Sequence, residues 1–129
     1  MSGFLANFFG SGAAEAALLH LFHYGETYGR AVATDMEIAL QPVQRQLDRF
    51  EQCGVLVSRE VGRTRLYTWN PKSPFSALLR EMVKVQYEAI PLEQRQVLFQ
   101  ARRRPRAKGK PVISSIGTSA RAGENRDPA

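Results

Sequence analysis

The sequence predicts a mainly α-helical domain with one β-hairpin set into it, in the order helix, helix, helix, hairpin, helix. Three observations predict this. Apolar residues recur at three- and four-residue steps in segments around 13–23, 27–35, 42–53 and 74–90. Between the last two, residues 55–70 turn to β-branched and aromatic types around Val61-Gly62-Arg63. Gly, Pro and Ser stand at the joints, where helices start and stop.

Each element has its own reason. Gly10-Ser11-Gly12 is a breaker, and Ser11 caps a helix over 13–23 whose stripe is Ala14, Ala17, Leu18, Leu21 and Phe22. Gly25 stops that helix in the left-handed conformation. Thr27 caps the next helix, to about Asp35, with Tyr28, Ala31 and Val32 facing inward. A turn over 36–40 leads to a third helix with Pro42 in its first turn, where the missing N–H costs nothing. Its buried stripe is Val43, Leu47 and Phe50, and Gln41, Gln44, Arg45, Asp48 and Arg49 take the outer side until Gly54 ends it. Strands over 55–60 and 64–70 pair as a hairpin, with Tyr67 and Trp69 on the face that packs on the helices. Ser73 caps, and Pro74 opens, a long helix lined by Phe75, Leu78, Leu79, Met82, Val83, Gln86, Tyr87 and Ile90. A shorter helix follows over 92–101.

Charge divides the chain. It has 129 residues, 18 Lys+Arg and 12 Asp+Glu, for a net charge of +6. Residues 1–101 hold ten bases and ten acids, so the excess comes from the segment 102–129. That segment is rich in Arg, Lys, Pro, Gly and Ser and poor in hydrophobes, and reads as a disordered basic tail. Its two readings are sequence-independent phosphate contact and simple solubilisation. The division is therefore 1–72 for the helices and hairpin, 73–101 for the C-terminal helices and 102–129 for the tail. A lone Cys53 excludes an intrachain disulfide and reads as a small buried residue. The apolar start lacks a positively charged leader, and no run of about 18 apolar residues occurs. The expected setting is the cytoplasm, with no membrane partner.

Helix, helix, helix and a basic hairpin in this order make a winged helix-turn-helix. Phe9-Gly10-Ser11, Tyr28-Gly29-Arg30, Val43-Gln44-Arg45-Gln46-Leu47, Gly54-Val55-Leu56, Arg59, Gly62-Arg63, Tyr67 and Asn70-Pro71-Lys72-Ser73-Pro74 carry a further likeness. Over about residues 8–88 the chain resembles the ArsR/MarR-like winged-helix transcriptional regulators, among them small prokaryotic members sometimes associated with nucleotidyltransferases. The resemblance implies double-stranded DNA as partner and a homodimer formed through the long C-terminal helix and the first helix. Two positions depart from the family. Its glycine in the turn before the recognition helix is Glu37 here, and an apolar position two residues earlier is Asp35.

The candidate contacts follow from chemistry. Gln44 and Arg45 are the sharpest, since Gln pairs bidentately with adenine and Arg with guanine; Gln41 and Arg49 flank them. Asp48 is placed to hold Arg45 at i,i+3 or to repel phosphate. Arg59, Arg63 and Arg65 in the hairpin suit phosphate clamping or insertion into a minor groove. Arg30 suits either the DNA backbone or a surface pair with Glu26. His20 and His23 have metal-ligand spacing, yet with only Cys53 for company they read as structural or surface residues. No catalytic grouping, phosphate loop or zinc-spaced Cys/His cluster appears, so neither an enzyme, a metal site nor a cofactor is expected. Asp35, Glu37, Asp48 and Glu51 keep open a second reading, an adaptor for a partner enzyme without DNA binding. RNA binding through the tail alone is a third.

Overall fold

The computed structural model describes residues 3–99; the expected tail over 102–129 and the end of the last expected helix lie outside the described residues. The order is α1 (Phe4–Phe9), α2 (Gly12–Tyr24), α3 (Gly29–Met36), α4 (Leu40–Gln52), β1 (Leu56–Val61), β2 (Thr64–Trp69), α5 (Pro74–Ala89) and α6 (Leu92–Leu98). This is a mainly helical winged helix-turn-helix. Helix α2 is the hub, packing against α1, α3, α4 and α5. Leu18, Leu21, Val32, Val43, Leu47 and Val83 are fully buried around it.

The joints behave as their residues require. The Ser11 hydroxyl accepts from the Ala14 N–H and starts α2, and Gly25 ends it at φ 83°. Ser73 caps α5 in the same way, with Pro74 in the first turn. Pro42 is the third residue of α4, where its ring breaks no helical hydrogen bond. The hairpin pairs antiparallel in the register Leu56–Trp69, Ser58–Tyr67 and Glu60–Arg65.

One helix is added and two local expectations need correction. Residues 4–9, to which the sequence assigned no element, form a helix, because its N-terminal donors find tertiary acceptors. Gly3 and Ala6 N–H donate to the Glu15 carboxylate, and Leu5 N–H donates to Gln86 Oε1. Thr27 does not cap α3. Tyr28 holds the cap position, while Thr27 pairs backbone to backbone with Tyr67 and its hydroxyl bonds His20 Nδ1. Cys53 is exposed, not buried, since it sits one residue past the last turn of α4.

Glu37 ends α3 in the left-handed conformation, φ 58° and ψ 51°, and its N–H donates to Ala33 O. A side chain there carries a Cβ penalty that glycine lacks. Glu37→Gly is therefore expected to raise stability by about 1 kcal/mol in urea titration. An unchanged or lower midpoint would show that the turn is not strained.

Candidate nucleic-acid interface

Helices α3 and α4 with the turn at Glu37 form the helix-turn-helix, and the hairpin lies against α4. At 100° per residue, Val43, Leu47 and Phe50 fix the inner side of α4 and all three are buried. Gln41, Arg45, Asp48 and Arg49 are exposed on the far side. Gln44 falls about a quarter turn from the buried stripe and is half-buried, not outward as the residue pattern suggested.

Its partners account for this. Gln44 Nε2 donates to the Tyr67 hydroxyl at 2.9 Å and to Asp48 Oδ1 at 3.1 Å. The Tyr67 hydroxyl in turn donates to Asp48 Oδ1 at 2.8 Å. Tyr67 is fully buried on β2. Burial pushes its phenol up to about 12, helped by the hydrogen bond to Asp48 and that carboxylate's charge. Asp48 thus binds the phenol and Gln44 rather than Arg45. Nothing in the sequence signalled this triangle, because Tyr67 meets it from 19 and 23 residues away.

The hairpin arginines divide into tied and untied. Arg59 pairs with Glu26 at 3.2 Å, which ties the hairpin to the turn before α3. Arg65 meets Glu60 at 3.3 Å and Glu51 at 3.5 Å, and donates to Ser58 Oγ. Ser58 also donates to Glu51 at 2.6 Å, so this side of the hairpin is fastened to the end of α4. These are exposed or half-exposed pairs, each contributing well under about 1 kcal/mol, and phosphate can displace them. Arg63 stands exposed at the hairpin tip beside Gly62, whose φ is 63°. Arg30 on α3 is exposed, and Glu26, one of its two expected partners, is taken by Arg59. Among the described residues, Arg30, Arg45, Arg49 and Arg63 make no ion pair.

The acids near this surface are largely engaged. Asp35 turns inward and pairs with the fully buried His20 at 2.8 Å. Its carboxylate thus has a hydrogen-bond partner on α2. Asp48 and Glu51 are held by Tyr67, Gln44, Ser58 and Arg65 as above, and Glu37 is left exposed in the turn. Among the described residues no group of three His, Cys, Asp or Glu side chains is placed to hold a metal ion, and no helix is long and apolar enough to cross a membrane.

No protein-family model matches the chain, and no curated protein matches it. Solved structures are similar to it, two of them as follows. The YusO protein from Bacillus subtilis is 19% identical over 72% of this chain and 70% of that one, with a TM-score of 0.48. The antimony-specific transcriptional repressor AntR is 22% identical over 63% of this chain and 68% of that one, with a TM-score of 0.43.

Proposed function

We propose that this chain is a sequence-specific DNA-binding transcriptional regulator of the ArsR/MarR-like type. It acts as a homodimer in the cytoplasm, with no catalytic step and no cofactor. A fold does not carry a function by itself, so the reading rests on one observation. Arg30, Arg45, Arg49 and Arg63, drawn from α3, α4 and the hairpin tip, are all exposed and none is ion-paired among the described residues. Cations kept free of internal partners are available to phosphates and guanines.

In this reading α4 enters the major groove, Gln41 and Arg45 meet base edges, and Arg49 and Arg30 approach the backbone. Arg63 takes a phosphate beside the groove, and Arg59 and Arg65 follow by exchanging their carboxylates for phosphate. The homodimer forms through α5, whose Phe75, Leu78 and Val85 are 68%, 64% and 71% exposed. Large apolar side chains clustered in solvent mark an association surface. Two linked reading heads raise a modest single-domain affinity. The adaptor reading leaned on the acids near α4, of which Asp35, Asp48 and Glu51 have partners within the chain.

The test is selection of duplexes from a random library, followed by titration at several salt concentrations, with sedimentation to count two chains per duplex. Arg45→Ala is expected to lose about 1–3 kcal/mol of discrimination at one base pair. Arg63→Ala is expected to weaken all duplexes alike and to reduce the slope of log affinity against log salt by about 1. If no duplex is enriched over random sequence, the reading fails.

A further inference from the structure

We propose that Gln44 is a positioning residue that clamps the recognition helix, and that base readout by α4 belongs to Gln41 and Arg45. The inference rests on the DNA-binding reading above and assigns roles within the same surface. A carboxamide has two N–H donors and one carbonyl acceptor. The Gln44 NH2 group is engaged, sharing its hydrogen bonding between the Tyr67 hydroxyl and Asp48 Oδ1. The assignment of nitrogen and oxygen is fixed by chemistry, because a carboxylate only accepts and Asp48 must face the NH2 end. The remaining oxygen packs over Gly29 in the first turn of α3, where an added Cβ would collide with it. Reading adenine needs one donor and one acceptor aimed together at a base edge. Gln44 would have to surrender both hydrogen bonds to offer them.

The clamp has a rigid base. Tyr67 exchanges both backbone hydrogen bonds with Thr27, at 3.0 and 2.8 Å. The Thr27 hydroxyl meets His20 Nδ1 at 2.8 Å, and His20 Nε2 meets Asp35 on α3. Gln44 therefore joins α4 at once to β2 and to the start of α3, and holds it there in the rotation that the buried Val43, Leu47 and Phe50 set. In that rotation Gln41 and Arg45 face outward.

The experiment compares wild type, Gln44→Met, Tyr67→Phe and the double variant, each checked for an intact melting transition. Selected duplexes carrying every single-base change are titrated. Gln44→Met keeps the packing volume and removes both donors. Each single variant should weaken all duplexes by a similar factor, roughly fivefold, with the order of base preferences unchanged. The double variant should be no weaker than either single one, since both remove the same clamp. Arg45→Ala, by contrast, should lose roughly 5- to 150-fold discrimination at one position. Without DNA, the side-chain NH2 resonances of Gln44 should shift in Tyr67→Phe. Loss of preference at a single base pair in Gln44→Met overturns the inference and leaves the DNA-binding reading standing. Unmoved NH2 resonances in Tyr67→Phe overturn it as well. If wild type enriches no duplex, the functional reading falls and this role falls with it.

Discussion

Replacing Glu15 with alanine is expected to remove about 3 kcal/mol of stability, the largest loss predicted for any single polar side chain here. Glu15 is 1% exposed, in the first turn of α2. Its Oε2 accepts from Gly3 N–H at 2.9 Å, Ala6 N–H at 3.1 Å and Gln86 Nε2 at 2.7 Å. The truncation leaves donors without acceptors beneath α1, and hydrogen bonds to a charged group are the strong ones. It also frees the Gln86 amide, whose oxygen holds Leu5 N–H at 2.8 Å. Helix α1 has only six residues and cannot sustain itself without such partners. The amides of Leu5 and Ala6 should therefore lose hydrogen-exchange protection before the rest of the chain. Glu15→Gln, which keeps one acceptor oxygen, should fall between wild type and alanine. Urea titration of the three proteins decides the matter. A loss under about 0.5 kcal/mol for alanine would mean that the carboxylate does not hold α1.

Alkaline pH is the second lever, through Tyr67. Its phenol is held up to about 12 in the folded chain and returns to about 10 on unfolding. Between those values the folded state binds the proton and the unfolded state has released it. Stability from this group is thus fully present below pH 10 and falls as pH rises from 10 through 12. The slope is on the order of 1 kcal/mol per pH unit. Tyr67→Phe should be less stable than wild type at pH 7 by about 2 kcal/mol, because Asp48 loses one of its two donors and Gln44 loses the hydroxyl that accepts from it. The gap should then close steadily above pH 10. The other tyrosines are common to both proteins, so the difference between their stability curves isolates Tyr67. A gap that stays constant from pH 7 to 12 would show that the phenol does not hold its proton in the fold.

These two predictions concern groups whose partners the residue pattern did not reveal. Much of the fold was legible because it is written in short range. The 3.6-residue stripe of Val43, Leu47 and Phe50, the caps at Ser11 and Ser73, the stop at Gly25 and the turn at Gly62 are local choices. They came out where the pattern placed them. Helix α1 was hidden because its stability comes from Glu15 and Gln86. Thr27 was read as a cap because Thr at a helix start commonly is one, but pairing with Tyr67 won. The outward placement of Gln41, Arg45 and Arg49 was legible from the helical period, and that of Gln44 was not, because a flank position goes wherever its tertiary partners are.

The amino-acid order by itself determined the succession of helices and hairpin, and which side of α4 holds its greasy residues, since both depend on contacts within one or two turns. Only the tertiary structure decided which polar groups find partners within the chain and which stay exposed without an ion pair among the described residues. It turned Asp35 toward His20, tied Asp48 and Gln44 to Tyr67, and left Arg45 and Arg63 unpaired among the described residues. The reason is physical: a hydrogen bond or ion pair forms between groups that the packed chain brings within about 3 Å, and separation along the sequence carries no information about that distance.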